Sequence, residues 1–345
     1  MSTTASAAGS TGETRAYRDY GRPLWRRVLL SREAAVIALL ILVWIVGYTQ
    51  VPHFAAPITL TFLLQDMAPV LLIALPMTLI IITGEIDLSV ASVMGLSSAL
   101  IGILTQQGWA FGAAFLVALI VGLVAGLVNG VLVTVVGLPS LAVTIGTLAL
   151  YRGIAQGLLG SKAITDFPSE WTSLATGNIP GTPLPIVTVL IVVLALVFGL
   201  LLHFTPFGRG VYAIGLSADA AAFSGVRITR TKIILFALAG LVSAVAGAYY
   251  TLRFGSARGD NATGLELSVV AAVLLGGVSI FGGRGALPGV LAGALLIGAI
   301  ASALRLAGIT SDVINVVTGV LLVLSVVIAG LLGKLRFRRL RIVKS

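Results

Sequence analysis

The feature that most constrains this chain is its series of long apolar runs almost free of charge. Ten follow one another, at approximately 34–50, 57–82, 89–106, 110–136, 140–160, 184–204, 231–252, 266–280, 285–306 and 312–333. A hydrocarbon layer about 30 Å thick takes roughly 20 apolar helical residues per crossing. Within that layer each segment must satisfy its own backbone polar groups. The expected fold is therefore all-α, a polytopic membrane domain of about ten transmembrane helices over 34–333, flanked by a polar tail at 1–33 and a basic tail at 334–345. Charged residues make up only 10% of the chain, too few to keep the surface of a soluble globule in water. The segments at 89–106 and 266–280 are short or glycine-interrupted, which points to broken helices.

The formal net charge of +10 does not indicate nucleic acid, because the basic residues form no face on a polar domain. Six precede the first apolar run (Arg15, Arg18, Arg22, Arg26, Arg27 and Arg32) and six follow the last, from Lys334 to Lys344. With Arg209, Arg227, Arg230, Lys232 and Arg284, most of the 22 basic residues fall on one side of an even number of crossings. The positive-inside rule then puts both termini in the cytoplasm. The absence of cysteine excludes disulfides, thiolate metal sites and thiol nucleophiles, and two histidines, His53 and His203, make a metal centre improbable. The polar first 33 residues contain no short apolar segment with a small-residue cleavage site, so no cleavable signal peptide is expected.

Two connections have distinct chemistry. The outer one, 161–183, holds Asp166, Glu170, Trp171 and three prolines and reads as a structured interfacial loop. The inner one, TPFGRGVYAIGLSADAAAFSGVRITR at 205–230, is basic yet studded with small residues, with Ser217 placed to cap a short helix. An internal echo links the halves: Asp87-Leu88-Ser89-Val90 matches Glu266-Leu267-Ser268-Val269, and each is followed by a glycine ladder, Gly122/Gly126/Gly130 and Gly285/Gly289/Gly293. The copies lie five helices apart, the arrangement expected of an inverted-topology repeat. Glycines at spacing four let helices approach closely.

Charge is so scarce that each intramembrane instance is a functional candidate. In ITGEIDLSVAS (82–92), Glu85 and Asp87 sit between two apolar runs, with Gly84 marking a break. They either line a pathway or cap a helix at the membrane surface. Arg152 either faces a wet cavity or an acidic partner (Asp166, Glu170 or Glu266) or snorkels to the outer interface. Asn129 is placed for interhelical hydrogen bonding. The run GGVSIFGGRG (276–285) lacks the Lys-Ser/Thr of a phosphate-binding loop and reads as a tight reversal anchored by Arg284. No ATP-binding motif is present, so an ATP-driven process requires a separate ATPase chain. The loop at 205–230 is the candidate docking surface for it.

These residues resemble a known family, the membrane permeases of bacterial ABC importers in the ribose-type sugar class. ITGEIDLSVASVMGLSSA is similar to the family's Gly-Gly-Ile-Asp-Leu-Ser-Val-Gly-Ser signature, departing from it at Glu85 and Ala91. FGRGVYAIGLSADAAAFSGV and ELSVVAAVLLGGVSIFGGRGALPGVLAGALL resemble two further signatures, in order, between about 76 and 300. ALPMTLIIITGEIDLS and FGSARGD look closest to permeases of autoinducer-2 and rhamnose import. The resemblance implies a ten-helix type II importer fold with pseudo-symmetric halves. It also implies a homo- or heterodimer of permeases in the bacterial inner membrane, ATP-binding partner subunits and an extracytoplasmic binding protein. No cofactor is expected on this chain, ATP being handled by the partner, and the chain is expected not to be an enzyme. Asp87, Leu88 and Ser89 match the pathway-proximal signature, with Glu85, Asn129, Arg152 and Glu266 as further candidates for the pathway or its gating. Gly208, Arg209, Ala213, Gly215, Ala221 and Gly225 match the loop that couples to the ATPase. The expected function is ATP-driven import of a small sugar or sugar-like solute; the alternative is a secondary transporter driven by an ion gradient, with Glu85 and Asp87 as coupling carboxylates.

Overall fold

The computed structural model describes residues 32–321, 323, 324 and 327, so the basic tail at 334–345 and the N-terminal tail through residue 31 lie outside the described residues. The ten apolar segments form helices in the expected order: α1 (Arg32–Gln50), α2 (Pro57–Ile82), α3 (Val90–Gln106), α4 (Phe111–Thr134), α5 (Ser140–Leu159), α7 (Val187–Phe204), α10 (Ile228–Phe254), α11 (Leu265–Leu275), α12 (Leu287–Leu306) and α13 (Ser311–Leu321). Among the described residues seven are long and apolar enough to cross a membrane, and α3, α11 and the described part of α13 are shorter. The outer connection contributes α6 (Ser169–Thr176), and the inner one contributes α8 (Pro206–Leu216) and α9 (Ala218–Phe223). No strand occurs among the described residues; two isolated bridges, Ile164 with Ala257 and Asn178 with Pro185, tie the outer loops. The protein is an all-α, multi-pass membrane protein.

Long-range contacts sort the connections onto two faces. On what we term the proximal face, Gly283 N donates to Ile82 O, Lys232 reaches Glu85 and Tyr212 reaches Gly285. On the distal face, Thr61 Oγ1 donates to Pro183 O and Gln65 Nε2 to Thr176 O, while the ring of Phe111 lies 4.9 Å from that of Trp171. The apolar helices from α2 through α12 therefore run between the faces, and successive ones alternate in direction.

At the centre, α10 packs on α4, α3 and α2. The α4–α10 contact is backbone on backbone: Gly122 lies against Gly240 O and Ala244, Gly126 against Phe236 O and Ala237, and Gly130 against Ile233 and Phe236. Here the ladder forms the close helix contact anticipated from the sequence, with dispersion between backbones replacing side-chain interdigitation. The second ladder departs from helical periodicity. Gly285 lies in the 276–286 reversal, and only Gly289 and Gly293 pack, against the end of α11 at Gly276 and Ala272. A second difference is α3, which is an unbroken helix; of the two segments expected to break, only 266–280 does, α11 stopping at Leu275.

Partner exchange links the halves. α4 packs on α10 while α12 packs on α2, and α3 packs on α10 while α11 packs on α2. The same pattern of helix contacts thus recurs in 57–134 and 228–306. The periphery is lipid-like in character: Ile41, Leu42 and Ile45 on α1 and Val192, Leu196 and Leu200 on α7 are exposed. Unsolvated in water, such a surface suits hydrocarbon.

Because an added side chain at Gly126 meets the Phe236 carbonyl whereas one at Gly146 meets nothing, Gly126→Val should lower stability by about 1–3 kcal/mol. Gly146→Val should change it by less than about 0.5 kcal/mol. Thermal unfolding of the purified protein, read by fluorescence-detected size exclusion, checks the contrast.

Candidate translocation and coupling site

The site begins where α2 ends. The last carbonyls of a helix need partners, and those of α2 all find them in the segment that follows or across the fold. Thr83 N donates to Leu79 O and Ile80 O, Gly84 N to Ile81 O, and Gly283 N to Ile82 O at 2.8 Å. Thr83 Oγ1 adds a second donor to Ile80 O. Gly84 takes φ +85°, a left-handed conformation that turns the chain out of the helix and that a side chain would disfavour. Ile86 is then pinned to the start of α5, its N–H accepted by Ser140 Oγ and its carbonyl accepting from Thr144 Oγ1, both at 3.3 Å.

Asp87 is buried and accepts two hydrogen bonds from Ser89, from its N–H at 2.9 Å and its hydroxyl at 2.6 Å. The first is an Asx-turn bond, a carboxylate accepting from the N–H two residues on, and it orders the turn at Ser89 from which α3 starts. Asn129 Nδ2 on α4 donates to Ser89 Oγ at 2.8 Å, and Asn129 Oδ1 is buried with no hydrogen-bond partner among the described residues. Asp87, Ser89 and Asn129 thus form one polar cluster between α3 and α4. Glu85 is separate from it. Its Oε1 pairs with Lys232 Nζ on α10 at 2.5 Å, with both side chains less than one-fifth exposed.

Arg152 lies in the distal half of α5 and donates to the backbone carbonyls of Gly259 and Asn261 rather than to Asp166 or Glu170. Glu266 and Asp260 are the carboxylates whose charge reaches it. One Glu266 oxygen is buried without a hydrogen bond among the described residues. Asn261 in turn donates to Ser98 Oγ on α3 at 2.9 Å, and Thr251 Oγ1 on α10 donates to the same hydroxyl at 2.7 Å. The sequence-derived candidates therefore divide between two places: Glu85, Asp87, Ser89 and Asn129 lie near the proximal face, Arg152 and Glu266 near the distal one. Sequence reading singled out neither Lys232 as the partner of Glu85 nor Asp66, which pairs with Arg253 at 3.4 Å and Arg305 at 3.0 Å and so ties α2 to α10 and α12. A carboxylate inside LTFLLQDMAPV was the available signal.

On the proximal face, Thr205 caps α8 by accepting from Gly208 N, and Ser217 caps α9 by accepting from Ala220 N, the latter as expected. α8 rests on the end of α2: Gly215 lies against Ile82 O and Gly283 N so closely that a side chain would not fit. Tyr212 Oη donates to Gly285 O at 2.7 Å; burial first, and the Glu33 carboxylate second, push its phenol above the ordinary range, keeping it a donor. Gly208 and Ala221 are buried, Ala213 and Gly215 half-buried, and Arg209 and Gly225 exposed. Leu216, Phe223 and Phe281 project from this face, exposed by 69%, 94% and 83%. Arg284 is exposed too, and its carbonyl accepts from Ser279 N to close the reversal.

The family described as the permease component of branched-chain amino acid transport systems matches residues 58–326. The chain belongs to this permease family. It is 38% identical to the ribose import permease RbsC of Bacillus subtilis (strain 168) over 302 residues, covering 87% of this chain and 93% of the relative. It is 35% identical to the autoinducer 2 import permease LsrD of Klebsiella pneumoniae over 306 residues, 87% of this chain and 92% of that one. The Escherichia coli O157:H7 LsrD is 36% identical over 308 residues, with 87% and 92% coverage. No solved structure matches significantly. These relatives are importer permeases, which favours the permease reading over the ion-gradient alternative. No group of three metal-binding side chains occurs among the described residues.

The turn geometry separates charge from hydrogen bonding at Asp87. Asp87→Ala should lower stability by about 1–2 kcal/mol, whereas Asp87→Asn keeps an acceptor oxygen and should retain most of it. Thermal unfolding midpoints of the three proteins decide this.

Proposed function

We propose that this permease is the membrane subunit of an ATP-driven importer that carries a small sugar or sugar-like solute inward across the bacterial cytoplasmic membrane. The observation that carries the reading is the alignment with ribose and autoinducer 2 import permeases over nearly the whole of both chains. The proximal face is cytoplasmic in this reading. It carries Arg209, Arg227, Arg230, Lys232 and Arg284, whereas the basic residues of the distal face are interspersed with Asp166, Glu170, Asp260 and Asp312. Both tails, at 1–33 and 334–345, extend from the membrane domain on the cytoplasmic side.

ATP is bound and hydrolysed by a separate subunit that docks on α8 and α9. A second permease, identical or related, completes the pore, and an extracytoplasmic binding protein delivers solute to the distal face. Phe223, Leu216 and Phe281 supply the apolar contact for the ATPase, framed by Arg209 and Gly225. Its closure on ATP pushes α8 against the end of α2 through Gly215 and Tyr212. That contact leads directly into 83–89, where Glu85, Asp87, Ser89 and Asn129 gate the pathway and bias it between inward- and outward-facing states. Arg152 and Glu266 serve the distal half. The two halves act as an inverted repeat about the pathway, a reading supported by the partner exchange of α2, α4, α10 and α12.

Arg209→Glu and Gly225→Arg should abolish co-purification with the ATPase while leaving the membrane domain folded. Wild-type recovery of the ATPase with both variants overturns the docking surface. In proteoliposomes, uptake should require ATP and the partner subunits and be unmoved by a proton or sodium gradient. Uptake driven by a gradient alone overturns the importer reading. Asp87→Asn should reduce uptake at least tenfold if the charge serves the pathway; unchanged uptake assigns Asp87 to ordering the turn alone.

A further inference from the structure

The distal loop between α10 and α11, residues 255–264, walls a cavity of about 550 Å³ together with the last turn of α10. The loop is held from three directions. Ala257 bridges to Ile164 in the outer connection, Asn261 Nδ2 bonds Ser98 on α3, and Arg152 on α5 holds the carbonyls of Gly259 and Asn261. Three of its ten residues, Gly255, Ala262 and Gly264, have left-handed backbone at φ +57°, +64° and +85°. For Ala262, which has a side chain and is buried, that conformation is disfavoured and persists because the surroundings impose it. The wall is thus preformed.

Its chemistry is of two kinds. One side is an aromatic surface: the rings of Tyr250 and Phe254, one helical turn apart, lie 4.5 Å between centroids. The other is polar and neutral in sum: Arg258 Nε and Nη2 donate to the two oxygens of Asp260 at 3.0 and 3.2 Å, with Ser256 and Asn261 beside them. Arg258 and Asp260 are both more than half exposed, so their remaining donors and lone pairs face the opening. An aromatic face offers contact to C–H groups, and the outer guanidinium N–H groups with the remaining carboxylate lone pairs of such a pair offer a donor and an acceptor side by side to adjacent hydroxyls. A cavity with an apolar platform and a few converging polar groups has the general form of a small-molecule site. The absence of net charge disfavours anions and cations alike.

We propose that this cavity is a docking site for a neutral polyhydroxylated solute at the distal mouth of the permease, with Tyr250 and Phe254 as the stacking platform and Arg258 and Asp260 as the hydroxyl-binding pair. This rests on the importer reading above and gives its solute a place on this chain. Arg152 and Asn261 are positioning residues that hold the loop.

Saturation-transfer NMR on the full chain in lipid nanodiscs tests the site with D-ribose as probe, D-xylose and L-rhamnose as further polyols and leucine as control. Millimolar D-ribose should show transfer and leucine none. Tyr250→Ala and Arg258→Ala should each cut the D-ribose signal at least threefold, and Tyr250→Phe should preserve it. Arg258 is exposed and bonds no described side chain but Asp260, so Arg258→Ala reports on the site even if the Tyr250 variant fails to fold. No transfer from any of the three polyols, or transfer undiminished in Arg258→Ala, overturns the proposal. Binding failure alongside ATP-driven ribose uptake by the reconstituted importer removes this site and leaves the importer reading. Transfer lost in Arg258→Ala without any ATP-driven uptake keeps the site and removes that reading.

Discussion

The end of α2 sets the arrangement of the proximal half, because a helix that stops inside protein must find a donor for each of its last carbonyls. Thr83 and Gly84 serve Leu79, Ile80 and Ile81 locally, but Ile82 O is reached by Gly283 N from a segment two hundred residues later in the chain. That one bond brings the 276–285 reversal to the start of 83–89. The same carbonyl lies against Gly215 of α8, so the inner connection has to pack there as well. Glu85 and Lys232 add an ion pair at the same junction, linking it to the start of α10. A partly buried pair of this kind contributes geometry more surely than stability.

From this junction the functional reading follows by adjacency. The exposed apolar side chains of Leu216 and Phe281 belong to the elements that touch Ile82, and that of Phe223 to the neighbouring α9. The polar cluster of Asp87, Ser89 and Asn129 is buried. Between α8 and that cluster lie backbone contacts with almost no flexible side chain among them. Glycine at 215 and 283 is what permits that proximity. On the distal side the cross-links are side-chain networks instead: Asp66 with Arg253 and Arg305, and Asn261 with Ser98 and Arg152. Polar groups away from bulk water are costly unless satisfied, and each of these networks spans three elements.

Much of the fold was legible in the sequence because membrane insertion imposes length and polarity on each segment locally. Nine of the ten apolar segments have helix boundaries close to those expected, and the tenth runs into residues outside those described. Ser217 as a cap and Gly122, Gly126 and Gly130 as a packing face were readable for the same local reason. The broken helix expected at α3 was not found, since Gly95 and Gly102 serve close packing against Asn261 and Ala257 rather than a break. Spacing cannot distinguish a glycine that interrupts a helix from one that lets another chain segment approach it.

The sequence by itself determined that the chain is a multi-helix membrane protein, which residues are costly enough in hydrocarbon to require a reason, and which family they resemble. Those are properties of composition and of neighbours along the chain. Only the tertiary structure decided the partners. Glu85 meets Lys232 rather than standing with Asp87, Arg152 meets backbone carbonyls rather than a carboxylate, and Ile82 meets Gly283. Each of these contacts joins residues more than a hundred positions apart, and which of many possible donors reaches a given acceptor depends on how ten helices pack together.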